Sequence, residues 1–294
     1  MTRGDTRRKE RDMNHFPKRI LLATDGSEEA APATEAAVDL ARRGGSELHV
    51  THVWHDVPGP YRHGFVKREL HRQGQEALDE QEKKIEAAGG TVAQAHLRGG
   101  RTTDEVIKLG DELEAGLLVV GSRGLRGMRR ILIGSHSEDI VHHARRPVLV
   151  VRCGEDVWPP NRVVVGDDLS ADARQAGELA ASVAKLLGAR MLLLHAGPPQ
   201  GSGEAGPRAE EKLEERAGEL EAVLGERPQT RVVEGDPAEA LIESAREGDR
   251  PTLVAVGSRG LGVVERVRMG SVSTKVLRAA LEAVLVHPYA GEVR

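Results

Sequence analysis

The chain has a single cysteine, Cys153, so no disulfide can form within it, and a lone thiol fits a reducing compartment. Aromatic residues make up only 2% of the 294 positions, which argues against the stacking platforms that hold single-stranded nucleic acid. Positive charge is not in excess. The formal net charge is -4, leaving no global field to grip a phosphodiester backbone or an anionic membrane. No apolar run approaches the ~18 residues that a membrane span needs. The basic N-terminus meets only Ile20 to Ala23 before Asp25, well short of the ~7–15 apolar residues of a secretory signal. These absences predict a cytoplasmic protein that engages neither nucleic acid nor membrane.

What the chain does have is a repeat of itself. RILLATDGS (19–27) is matched 143 positions later by RVVVGDDLS (162–170), and LHVTHV (48–53) at the same offset by MLLLHA (191–196). GSRGLRGMRRILIGS (121–135) corresponds to GSRGLGVVERVRMGS (257–271), and each half closes on an apolar run, PVLVV (147–151) and AVLVH (283–287). Period and order identify a duplicated domain rather than an array of short repeats. The division is a charged tail over 1–18, domains over 19–152 and 162–294, and a linker over 153–161 containing Pro159-Pro160.

Within the first half, strands at Ile20–Ala23, Leu48–Val53, Val92–Leu97, Leu117–Val120 and 147–151 alternate with helices ending near Gly45 and at about 67–88, 103–114 and 135–145. Ser27 is expected to cap the first helix, with Pro32 in its opening turn. Residues 197–208 (GPPQGSGEAGPR) read as a loop. Continuous apolar strands separated by helices specify an α/β fold: two tandem doubly wound domains, each a mostly parallel five-stranded sheet with helices on both faces.

Both halves carry G-x2-G-x9-G-S after the fourth strand, as Gly121, Gly124, Gly134, Ser135 and as Gly257, Gly260, Gly270, Ser271. A turn without Cβ atoms at the carboxyl end of a parallel strand lets backbone N–H groups approach an anion. The last glycine and serine then open a helix, whose first donors and dipole favour phosphate oxygens. Arg123, Arg259 and Arg126 lie in the same loops and can add charge-assisted contacts. Glycine turns also serve simply to reverse a chain, and Ser135 and Ser271 fit ordinary helix caps. Duplication of the pattern beside an acidic residue that ends each first strand favours phosphate.

ILLATDGS, LHVTHV and G-x2-G-x9-G-S followed by a helix and PVLVV together resemble the universal stress protein family, over nearly all of 18–152 and 161–288. The resemblance implies a Rossmann-like sheet of the family's ATP-binding branch. It places Asp25 and Asp168 against adenine or ribose, and the backbone of Val53 and Ala196 against adenine. The glycines, with Ser135 and Ser271, would hold ribose and phosphates, and His136 and Val272 would lie beside them. It also implies that Val148–Val151 and Val284–His287 pair as a pseudo-dimer within one chain, with a further homodimer open. The second half departs at Asp167-Asp168-Leu169, where the first has Thr24-Asp25-Gly26, so the first site is the better match.

No catalytic nucleophile, base or complete metal-ligand set is evident. His52 and His195, which end internal strands, read as hydrogen-bonded structural residues, and His136, His142 and His143 lack companion ligands. The leading expectation is a non-enzymatic regulator of stress physiology that binds ATP, with Mg2+ bridging its phosphates, and engages an unidentified protein partner. Alternatives are a slow ATPase or nucleotidyl or phosphoryl transferase, and a nucleotide-free scaffold.

Overall fold

The computed structural model describes residues 16–54, 64–122, 133–197, 205–247, 251–258 and 269–289. The first half runs β1 (Arg19–Ala23), a 3-10 turn (Glu28–Ala30), α1 (Ala31–Gly44), β2 (Glu47–Trp54), α2 (Gly64–Ala87), β3 (Val92–Gly99), α3 (Thr102–Glu112), β4 (Leu117–Gly121), α4 (Ser135–His143) and β5 (Val148–Val151). The second repeats the order as β6 (Arg162–Gly166), α5 (Ala171–Leu187), β7 (Arg190–Gly197), α6 (Ala205–Leu224), β8 (Gln229–Glu234), α7 (Pro237–Arg246), β9 (Thr252–Gly257), α8 (Ser271–Ala279) and β10 (Ala283–His287).

The strands form one ten-stranded sheet in the order β3-β2-β1-β4-β5-β10-β9-β6-β7-β8. Pairing is parallel within each half and antiparallel where the halves meet. Parallel strands need crossover helices, and those helices cover both faces. Alternation along β1 shows the consequence. Ile20 and Leu22 join a core with residues of α1, α2, α5 and α6, whereas Leu21 joins the opposite core with residues of α3, α4, α7 and α8. The α/β fold with helices on both faces is therefore as the sequence specifies. No helix among the described residues is long and apolar enough to cross a membrane.

The halves meet at β5 and β10, with Leu149 opposite Leu285 and flanking pairs Val150–Val284 and Val148–Val286. This joint removes two sheet edges that would otherwise expose unpaired backbone groups. Arg152, 4% exposed, follows β5 and crosses into the second half. Its Nη2 donates to Leu277 O at 2.6 Å and its Nε to Glu282 O at 3.1 Å. Leu277 lies in the last turn of α8, where carbonyls have no intrahelical donor. Arg278 of α8 reaches back to Glu138 of α4 at 2.6 Å.

Local expectations are revised at three places. Ser27 makes no side-chain cap bond; it precedes the 3-10 turn, and its hydroxyl donates instead to Asp25. The charged segment 1–18 ends in the fold: Phe16 is buried, its ring lying against Gly44, where a Cβ would stand 2.3 Å from Cδ1. The loop expected over 197–208 is shortened by both neighbours, because β7 runs through Gly197 and α6 begins at Ala205. The linker 153–161 is anchored by Trp158, which packs on the core and donates Nε1–H to Asp39 Oδ2 at 3.4 Å.

Candidate functional site

Strand register assembles the expected residues along one edge of each half. In the first, Ala23 lies level with Thr51 and Val120, so Asp25, Val53 and Gly121 each follow within two residues at the carboxyl ends of β1, β2 and β4. In the second, Val165 lies level with Leu193 and Ala255, which sets Asp168, Ala196 and Gly257 along the matching edge. The helices that follow β1 and β4 cover opposite faces of the sheet, as do those that follow β6 and β9. Each adjacent pair therefore forms the switch point where open α/β sheets carry a crevice.

The turn after β1 is fixed by its own side chains. Thr24 Oγ1 accepts from Gly26 N at 3.1 Å, while Asp25 Oδ1 accepts from Ser27 N at 3.1 Å and Ser27 Oγ at 2.7 Å. Gly26 has φ +78°, a left-handed conformation that glycine adopts without a Cβ penalty. His52 Nδ1 meets Thr24 O at 3.2 Å, a structural bond as its position suggests. In the second half His195 Nδ1 meets Asp167 O at 2.7 Å, and Ser170 N donates to Asp168 Oδ1 at 3.1 Å.

The helix after the glycine loop is held against the strand before it. Gly134 N donates to Ser122 O and Gly270 N to Ser258 O, at 2.7 and 2.6 Å. Ser137 Oγ donates to Gly121 O at 2.7 Å, and Ser273 Oγ to Gly257 O at 2.6 Å. These buried serines, absent from the sequence-based site, clamp the base of each loop. The repeated G-S-x-S could have revealed them. The caps also shift by one residue: Gly134 and Gly270, in extended conformation, are the N-caps of α4 and α8. Ser135 and Ser271 are therefore not the capping residues and stand exposed in the first turn of each helix.

His136 is exposed beside Ser135, and Val272 is half-buried against the core. His142 and His143 turn to separate partners, Glu138 Oε1 at 3.7 Å and Asp139 O at 2.8 Å. An open groove of about 610 Å3 runs along α8 from Ser271 past Thr274 and Lys275 to Arg278. Arg123, Gly124, Arg126, Arg259 and Gly260 lie outside the described residues.

The two mouths differ in electrostatics. Asp167, 3% exposed, replaces Thr24, and burial pushes its carboxyl above the usual carboxylate range, opposed by the Arg216 guanidinium and by Leu169 N–H. Arg216 belongs to α6, far along the chain, and sequence inspection of the turn gives no hint of it.

A doubly wound parallel sheet with a carboxylate turn and a glycine-capped helix meeting at its switch point defines a Rossmann-like α/β protein, here in two fused copies. The chain belongs to the universal stress protein family, whose profile matches residues 17–152 and 160–288. A universal stress protein of Mycolicibacterium smegmatis is 29% identical over 288 residues, covering 91% of this chain and 96% of that one. A Thermus aquaticus member is 33% identical over 135 residues, 46% of this chain but 98% of its own length. A crystal structure of a universal stress protein from Archaeoglobus fulgidus DSM 4304 superposes with a TM-score of 0.73 at 27% identity, over 92% of this chain and 97% of that one.

Proposed function

We propose that this tandem universal stress protein is an ATP-binding regulator of the cytoplasm that works by binding rather than by turnover. The observation that carries the reading is the duplicated meeting of a rigid carboxylate turn with a helix N-terminus whose serine is exposed and uncommitted to capping. Adenine and ribose would lie over Asp25 and Val53, and phosphates at the first turn of α4, where N–H groups have no intrahelical acceptor. Ser135 adds a hydroxyl there, and the second half offers Asp168, Ala196 and Ser271 in the same arrangement. No carboxylate cage for a cation is needed, because Mg2+ can be held largely by the phosphates it bridges.

Binding rather than hydrolysis is proposed because the sequence nominates no general base or water-positioning group for these phosphates. Occupancy would be read by a protein partner through the segments 123–132 and 259–268 that join β4 to α4 and β9 to α8. The test is to denature the purified protein, then identify and count the released nucleotide, with Asp25→Ala, Asp168→Ala and the double variant alongside. Two adenine nucleotides per chain, falling to one in each single variant, are expected. No nucleotide released, together with no calorimetric binding of added Mg·ATP, would refute the reading. Turnover above ~0.1 per second that is lost in Asp25→Ala would replace it with an ATPase.

A further inference from the structure

The two crevices follow the same backbone path with different chemistry behind it. In the first half the turn is held by a neutral side chain: Thr24 Oγ1 accepts from Gly26 N, and a Cβ on Gly26 would stand 3.9 Å from Ala77 Cβ of α2. In the second half three positions change together. Asp167 stands for Thr24, Leu169 for Gly26 and Arg216 for Ala77. The last match follows from burial: Gly74, Leu78, Gln81 and Ile85 line the inner face of α2 at the spacing of Leu213, Ala217, Leu220 and Leu224 on α6.

Leu169 keeps the left-handed conformation, with φ +68° against +78° at Gly26, although a branched side chain disfavours it. Something must hold it there. Asp167 Oδ1 accepts from Leu169 N at 2.7 Å, a shorter bond than the threonine makes. That acceptor is a buried carboxylate, and its other oxygen faces Arg216 Nη1 at 3.4 Å, with side chains 1% and 10% exposed. Arg216 Nη2 also lies 3.5 Å from Ser170 O, and its Nε 3.5 Å from Glu219 Oε2. Among the described residues, Asp167 Oδ2 and Arg216 Nη1 have no hydrogen-bond partner beyond this pairing of charges. Arg216 comes from the α6 side of the sheet, whereas α8 with its phosphate-type N-terminus covers the opposite core. The guanidinium thus supports the turn from behind and leaves the crevice open.

We propose that Arg216 is the positioning residue of the second nucleotide crevice: it neutralises Asp167 so that this carboxylate can hold Leu169 left-handed and keep Asp168 aimed at the ligand. The proposal rests on the nucleotide reading above and concerns the second half alone. Threonine, glycine and alanine achieve the same in the first half without charge, so the two solutions are interchangeable as sets and not residue by residue.

Calorimetric titration of the full chain with Mg·ATP tests this, using wild type, Asp25→Ala, Arg216→Met and the triple variant Asp167→Thr/Leu169→Gly/Arg216→Ala. Wild type should show two sites. Arg216→Met should keep the first and weaken the second by about tenfold or more, the scale of losing one charge-assisted contact. The triple variant should regain two sites, with affinity within about threefold of wild type. Equal binding by Arg216→Met and wild type would overturn the proposal, as would a triple variant that remains one-sited. If Arg216→Met does not fold, the triple variant decides alone, because it contains no buried charge at the turn. Loss of all binding in Asp25→Ala would show that the second half is no site, sinking this proposal while leaving the first-half reading intact. Wild type that binds nothing would sink the nucleotide reading itself.

Discussion

Arg152→Met isolates the contribution of the buried guanidinium that ties the halves together. Methionine keeps most of the aliphatic stem and leaves Leu277 O and Glu282 O without their donor. Hydrogen bonds from a charged donor contribute about 1.5–3 kcal/mol each, net of the donor's desolvation, so the two represent about 3–6 kcal/mol. The cation also stands at the C-terminal turn of α8, worth a further 0.3–1 kcal/mol or so. The expected net destabilisation is therefore about 3–6 kcal/mol, because the orphaned carbonyls remain buried when the cation is gone. Urea unfolding followed by far-ultraviolet circular dichroism measures it. Tryptophan fluorescence from Trp54 and Trp158, the two tryptophans of the chain, gives a second probe. Transitions that separate by probe would mean that unfolding is not a single cooperative step. A change below ~0.5 kcal/mol, or a gain, would show that Arg152 behaves like those buried ionic groups that apolar residues replace without loss.

Three other outcomes follow from the same structure. Gly44→Ala should destabilise by about 1–2 kcal/mol, since expelling the Phe16 ring (about 1.5–3 kcal/mol) outweighs the helix-propensity gain of up to ~1 kcal/mol; in a Phe16→Ala background the same change should stabilise, and thermal denaturation reads both signs. His49 and His96 lie 3.2 Å apart, Nδ1 to Nε2, with Glu47, Arg19, Arg98 and Glu112 around them. Burial lowers both from 6.5, so the fold favours their neutral forms; their stabilisation is complete above pH 6.5 and is lost as pH falls through the lowered values. Urea midpoints between pH 7 and 5 should therefore fall less steeply in His49→Gln/His96→Gln than in wild type, and equal slopes would refute this assignment. Ser137→Ala should cost about 1–2 kcal/mol by leaving Gly121 O unsatisfied, and should weaken ATP at the first half while sparing the second, by calorimetry.

Much of this molecule was legible before any coordinates, for physical reasons that also mark where legibility ends. Apolar runs of strand length separated by helices permit little besides a covered parallel sheet, and the repeat fixed two copies of it. The joint of β5 and β10 was implied by the family resemblance, and it removes two exposed sheet edges. Asp25, Val53 and Gly121 are brought together by register alone, which follows once the strands are known. What escaped depends on contacts between distant segments. The burial of Phe16 needs the bare surface of Gly44, and the clamp by Ser137 needs the carbonyl of Gly121.

The second turn shows the limit most clearly. Comparing the halves by sequence, Thr24 to Asp167 and Gly26 to Leu169 read as two losses: an added charge and a missing glycine. Each alone would favour a degenerate site. In the fold they are parts of one arrangement, because the carboxylate that costs desolvation is also the strong acceptor that Leu169 N uses in its left-handed turn. The remaining charge is answered by Arg216, whose place opposite the turn is set by the register of α6 on the sheet. Until that helix is placed, the compensating cation is one of many on a solvated helix. A duplicated fold can thus preserve a backbone shape while exchanging the forces that maintain it, and sequence divergence between the halves does not by itself measure loss of a site.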